Sequence, residues 1–435
     1  MFISKKLDLV IENSDVFKSL LPLSEQFEIC SFYGTNKLNL DKYSKYDWLI
    51  ALDSIESCRP TNNKKTNLTA TKEFFDSNSK EWIFAALSYD FKNGIEDLES
   101  NNSDNLFFDD YFFYVPKYVI TSANGEIVLH HHSSVENIEL ADFENMIHNS
   151  PLSNLNINHN INGFKHRISH DKYIETIGNI RKDIKYGDIY EMNFCQEFYV
   201  ENAEIEKPWV VYQKMCELSP APFSAFYKNK DKYLISASPE RYMQRTDNKI
   251  VSQPIKGTAK RQNNEIDDKK LATSLQNSIK ERAENVMIVD LVRNDLSRIP
   301  NSKNTKVEEL CEIYSFKHVH QMISTISVEI ENNTDFSEIL KATFPMGSMT
   351  GAPKISSMQL IEKYEEMKRG LFSGSVGYIK PNGDFDFNVI IRSLLYNSSN
   401  KYLSLSTGGA ITYLCNAEDE YQESLLKADA VFRLF

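Results

Sequence analysis

Nowhere in its 435 residues does the chain carry an apolar run near the roughly 18 residues needed to cross a membrane. The opening stretch MFISKKLDLVIENS lacks the apolar core of a secretory signal. No C-x-x-C pair occurs: Cys30, Cys58, Cys195, Cys216, Cys311 and Cys415 are scattered. These absences argue against a zinc site, a disulfide framework or a membrane anchor, and lead us to expect a reducing cytoplasm. Positive charge is short as well. Lys and Arg total 49 against 61 Asp and Glu, a net charge of −12. Nucleic acid and anionic membranes are therefore poor partners, although a small anion that meets only local charge is not excluded. There is no internal repeat. What is present is a globular composition, 41% hydrophobic and 25% charged, long enough for two or three domains.

Residues 60–72, 99–106 and about 148–163 are rich in Asn, Ser, Lys and Asp and read as exposed loops. The last makes 151–164 a linker between an N-terminal region, 1–150, and a C-terminal region, 165–435. Aromatic runs at 46–52, 81–91 and 110–120 predict strands in the first region. His130-His131-His132 reads as a strand end. In the second region Ile174, Ile177, Ile180 and Ile184 recur at helical spacing, with Ser169 as N-cap and Gly187 as stop. Further helices are expected over about 276–293 and 417–432. Strands and helices mix without βαβ alternation, so the expected class is α+β with largely antiparallel sheets.

Five features can carry chemistry. Glu281 and Glu284 lie three apart on one predicted helix, and Glu420 and Glu423 repeat that spacing on another, with Lys427 one turn on. Two such faces brought together would suit Mg2+, although each alone also fits a solvated helix face. The stretch FPMGSMTGAPKISS imitates a phosphate loop but has three residues, not four, between Gly347 and Gly351, and Lys354 follows Ala-Pro. It reads instead as a turn entering a helix, with Pro353 in the first turn. Glu240, in SASPERY, follows a proline after a strand, where a carboxyl can reach a cleft. Gly408-Gly409 lets backbone amides approach an anion. Lys256, in SQPIKGTAKR, is threaded between an isoleucine and a Gly-Thr pair.

Taken in order, SPERY, PIKGTAKR, ERAENVMIVDLVRNDLSR, FPMGSMTGAPK, FSGSVGYI, DFNVIIRS, STGGAI and EYQESLLKA resemble the chorismate-utilising enzymes over about 165–432. That resemblance implies the anthranilate synthase component I fold, two packed sheets flanked by helices. It implies Mg2+ held by Glu284 and Glu423 with Glu281 and Glu420 beside them, and Glu240 as the acid for the departing C4 hydroxyl. Tyr378, Arg392, Gly408, Gly409 and Lys427 would grip the enolpyruvyl carboxylate. PIKGT resembles the aminodeoxychorismate synthase component I members, where PIAGT marks anthranilate synthases. Lys256 would then be a nucleophile toward the ring, with Thr258 orienting it, and its amine pKa would have to fall from about 10.4.

Two positions depart from the family. Glu191, in YEMNF, stands where amine-adding members have glutamine and water-adding members a base lysine. Gln321, in VHQM, stands where a histidine is usual, with His320 on the opposite strand face. The resemblance further implies ammonia as co-substrate and a separate glutamine amidotransferase subunit, since no glutaminase motif is present. Anthranilate synthase component I and a non-catalytic chorismate-binding subunit are the alternatives.

Overall fold

The computed structural model describes residues 1–7, 9, 16–36, 38, 41–60, 68–149 and 159–435. Residues 151–158 of the expected linker and 61–67 of the first polar stretch lie outside these. Among the described residues the strands form two large sheets, of 12 and 10 strands, and every strand pair in them is antiparallel. The expected α+β class is therefore observed.

Each sheet draws on both regions of the chain. In the larger, Ile29–Gly34 pairs with Phe223–Asn229, and Ser393–Asn397, Tyr402–Ile411 and Glu191–Glu201 follow outward. In the smaller, Ile83–Leu87 pairs with Ser375–Ile379, and the opposite edge is Ile255–Lys260 beside Val319–Glu329. Alternation decides which side chains meet. Leu49 and Ala51 join the inter-sheet core with Phe84, Val376 and Phe387, while Ile50 and Leu52 face a second core under the helices. The run Tyr111–Val115 is buried throughout because both its faces are covered. Phe113 stacks on Phe74 and meets Phe75 edge-on at 4.8 Å, both from the Leu68–Ser77 helix.

Several expected elements appear with shifted bounds. The 110–120 run splits into Tyr111–Val115 and Tyr118–Ala123 around Pro116, which has no amide to donate to a ladder. The 81–91 run ends as a strand at Leu87 and turns into a 3-10 helix. The helix His170–Tyr186 is capped by the Ser169 side chain and stopped by Gly187 at φ 92°. The helix expected over about 276–293 is Ile279–Ser297, capped by Ser278, and a helix not expected from sequence, Glu265–Asn277, precedes it. Pro353 is the N-cap of Lys354–Tyr364 rather than a residue of its first turn.

A buried ion cluster ties the two regions together. Arg241 donates to Asp386 through Nε and Nη2 at 2.9 Å each, and to Asp41 through Nη1 and Nη2 at 2.9 and 2.6 Å. Removing one partner of a buried pair strands the other's charge. Asp386→Ala is expected to cost about 3–5 kcal/mol in stability. Calorimetry that finds an unchanged melting temperature would contradict this role for the cluster.

Candidate active site

The two sheets are stitched by short crossovers, and the site gathers there. Strand Lys232–Ser238 belongs to the larger sheet and Arg241–Thr246 to the smaller, so Pro239-Glu240 is the step between them. Phe385–Asn388 of the smaller sheet leads through Val389–Arg392 to Ser393–Asn397 of the larger. The two crossovers lie side by side: Val389 N donates to the Glu240 carbonyl at 3.0 Å. Arg392 holds the left-handed backbone at φ 51°, a conformation a non-glycine residue keeps only where its surroundings enforce it.

Lys256 enters from the edge strand of the smaller sheet. The ladder pairs Ile255 with Ile323 and Thr258 with Gln321, so Lys256-Gly257 form a bulge opposite one residue. Gly257 sits at φ +92°, where a Cβ would stand 3.0 Å from Glu281 Oε2. The bulge turns the lysine toward the larger sheet. Its Nζ lies 3.5 Å from Glu191 Oε1, with the lysine side chain 11% and the glutamate 1% exposed. Among the described residues Glu191 Oε2 is buried without a hydrogen-bond partner, as is Glu284 Oε1.

The electrostatics follow from this crowding. Burial pushes the Glu240 carboxyl up to about 7, against a hydrogen bond from Ser348 and the charge of Lys256. Burial likewise raises Glu284 to about 7 and raises Glu191 against the pull of Lys256. For Lys256 burial acts downward, but Glu191, Glu284 and Glu240 outweigh it and hold the amine above its ordinary value. The fall that a nucleophilic role requires is opposed here, because three carboxylates face the lysine. Burial lowers Arg392, whose guanidinium makes no hydrogen bond or ion pair among the described residues. Its five donors are unengaged among the described residues in a half-buried setting, which suits a carboxylate chemically.

Glu281 and Glu284, on Ile279–Ser297, meet Glu420 and Glu423, on Ala417–Phe432. Lys280 bridges the helices, 3.4 Å from Glu420 Oε1 and 3.9 Å from Glu284 Oε1. Burial raises Glu281 and Glu420, whereas Lys427, 2.8 Å from Glu423, overcomes burial and lowers that carboxyl. Among the described residues no three acidic, histidine or cysteine side chains form a ready metal cage. Mg2+ needs few protein ligands when substrate oxygens and water complete its shell, and the orphaned buried oxygen of Glu284 fits such an ion.

Gly408 and Gly409 sit within the Tyr402–Ile411 strand. A Cβ on Gly408 would stand 2.3 Å from the Phe194 carbonyl, and one on Gly409 3.0 Å from Glu420 Oε2, so both keep space clear. Lys427 Nζ donates to the Gly408 carbonyl at 2.7 Å.

Other expected residues are not joined to this cluster by a hydrogen bond or ion pair among the described residues. Tyr378 packs among Tyr33, Tyr46, Trp82 and Phe84 at 6.0–6.1 Å between ring centres, in a cavity with Asp386 and Asn388 and not with Lys256. Thr258 and Gln321 face each other across the ladder. Gln321 Oε1 has no partner, and among the described residues no hydrogen bond joins either residue to Lys256 or Glu240. His320 is locked away on the other face, between Asp268 at 3.0 Å and Ser315 at 2.8 Å. Sequence reasoning missed Lys280 and Ser348. The four-residue spacing from Lys280 to Glu284 was a signal for the first; only the fold supplies the second.

The chain belongs to the chorismate binding enzyme family, which matches it over residues 33–433. It is 35% identical over 266 residues to aminodeoxychorismate synthase component 1 of Escherichia coli (strain K12), a match covering 61% of this chain and 58% of that one. To aminodeoxychorismate synthase component 1 of Bacillus subtilis (strain 168) it is 30% identical over 362 residues, covering 80% and 75%. The match thus spans little more than half the length of the Escherichia coli relative. In fold it is similar to anthranilate synthase component I from Streptococcus pneumoniae TIGR4, with a TM-score of 0.77 at 24% identity, covering 92% of this chain and 95% of that one. No described helix is long and apolar enough to cross a membrane.

The Lys256–Glu191 pairing has a direct consequence. Glu191→Gln removes the largest contribution raising the lysine pKa, so Lys256 is expected to react at lower pH. Competitive acetylation followed by peptide mass spectrometry across a pH series measures this. An unmoved midpoint would contradict the pairing.

Proposed function

We propose that the protein is the chorismate-aminating component of an aminodeoxychorismate synthase, converting chorismate and ammonia to 4-amino-4-deoxychorismate. The observation that carries the reading is Lys256 on its glycine bulge, aimed between Glu191, Glu240 and Glu284. The relatives named aminodeoxychorismate synthase support it. Chorismate is a dianion, and the partnerless guanidinium of Arg392 offers a receptor for one carboxylate, with Lys427 contributing near the Gly408-Gly409 strand.

In this reaction the Lys256 amine attacks C2 of the ring as the C4 hydroxyl departs as water, taking the proton of Glu240. Ammonia then attacks C4 and the C2–N bond breaks, returning the lysine amine. With a carboxyl pKa near 7, Glu240 is a competent acid at neutral pH. Glu284 and Glu423, with Glu281 and Glu420 beside them, would hold Mg2+. When bound, the ion supplies positive charge opposite the ring carboxylate. The site sets six carboxyl groups against Lys256, Lys280, Lys427 and Arg392, so a dianion needs that extra charge. Compensating the carboxylates also leaves burial as the main influence on Lys256, which favours the neutral amine. Ammonia would come from a separate glutamine amidotransferase subunit.

Purified protein with chorismate, Mg2+ and ammonium tests this by product identity. The expected product is 4-amino-4-deoxychorismate; anthranilate alone would overturn the reading. Lys256→Ala is expected to lose that product by about 100-fold or more. Because Glu240 must be protonated, the rate should fall as pH rises through about 7. Glu240→Gln should lower kcat about 100-fold and abolish that limb.

A further inference from the structure

The loop that fails as a phosphate cradle has one polar side chain turned toward the site. Ser348 Oγ donates to Glu240 Oε1 at 2.6 Å, and both residues are buried. The backbone around Ser348 is pinned from three sides. Asn193 Nδ2 donates to the Ser348 carbonyl at 3.2 Å, and Arg369 Nη1 to the Met349 carbonyl at 2.7 Å. Lys354 Nζ, paired with Asp295 at 2.6 Å, donates to the carbonyls of Pro345 at 2.8 Å and Thr343 at 3.0 Å. Gly347 presses so closely on the Ile279–Ser297 helix that a Cβ would stand 2.9 Å from Leu291 Cδ2. A hydroxyl carried on this loop has a fixed position.

Besides the Ser348 bond, the Glu240 backbone is held by its own N, which donates to Ser238 Oγ at 3.2 Å, and by Val389 N, which donates to its carbonyl at 3.0 Å. Its carboxyl has two oxygens and, as an acid, one proton. With Ser348 donating to Oε1, that oxygen is occupied as an acceptor and the acid proton belongs on Oε2. The charged neighbours do not impose this choice. Lys256 on the edge strand and Arg392 in the adjoining crossover act on Glu240 by charge, and the Ile255 backbone adds to the same effect. Asp295 lines the small cavity behind it, and Arg241 is taken by Asp41 and Asp386.

We propose that Ser348 is a positioning residue: its hydroxyl orients the Glu240 carboxyl so that the acid proton is presented from Oε2 to the departing ring hydroxyl. This rests on the role given to Glu240 above. A glycine-rich loop whose spacing does not fit a phosphate cradle thus has a task, which is to hold one hydroxyl rigidly against Glu240.

Wild type, Ser348→Ala and Ser348→Thr are compared with chorismate, Mg2+ and ammonium across neutral and alkaline pH. Ser348→Ala is expected to lower kcat about tenfold with the KM for chorismate nearly unchanged. Its alkaline limb should move to higher pH, because the lost hydrogen bond had favoured the carboxylate. Ser348→Thr, which keeps the hydroxyl, should restore most of the rate and the position of the limb. A limb that stays in place in the alanine variant, or a threonine variant no better than alanine, overturns the proposal. Should Ser348→Ala not fold, Ser348→Cys, a weaker donor of similar size, must show the same displacement. If wild type makes a different chorismate product, the reaction proposed above fails and the Ser348 comparison is read on that product. If wild type makes 4-amino-4-deoxychorismate and the profiles coincide, only this inference fails.

Discussion

An ammonium held among three carboxylates at the seam of two sheets is the interaction on which the site is built. Lys256 reaches Glu191 across that seam at 3.5 Å, and Glu240 and Glu284 bear on it from two further elements. None of these groups would be stable alone at such burial. The carboxyls of Glu240 and Glu284 are already pushed to about 7, and Glu191 keeps one oxygen unpaired. A site this crowded with carboxyl acceptors and poor in compensating charge would be stabilised by a bound cation.

The fold delivers these groups through its crossovers. A two-residue step between the sheets carries Glu240, and a four-residue return carries Arg392, so both side chains are fixed by the same feature that joins the sheets. Glycine shapes the remainder. Gly257 lets the bulge approach Glu281, and Gly408 lets two strands close over Phe194 and Cys195. The buried Arg241 cluster, one residue from Glu240, locks the crossover to Asp41 in the N-terminal region. Stability and chemistry therefore share adjacent residues.

Much of this was legible in the chain. Helix periodicity with Ser169 and Gly187 as caps, the aromatic strands, and paired glutamates at three-residue spacing are local signals, and local physics decides them. The opposite facing of His320 and Gln321 follows from strand alternation, and the ion pair of His320 with Asp268 agrees with it. What was not legible depends on contacts between distant segments. Tyr378 carries no local mark that would send it into an aromatic cluster rather than toward Lys256. Ser348 meets Glu240 across more than a hundred residues. The upward pull on the Lys256 pKa was not legible for the same reason: desolvation is implied by an apolar context, but three facing carboxylates appear only when the sheets come together.

The central claim is that Lys256 forms a bond to the substrate ring. Intact-protein mass spectrometry after incubation with chorismate and Mg2+, without ammonia, tests it most directly. The account predicts a single adduct of the dehydrated ring mass, mapped to Lys256 and discharged when ammonium is added. Turnover with no adduct on Lys256 at any time, or an adduct that ammonium does not release, would contradict it.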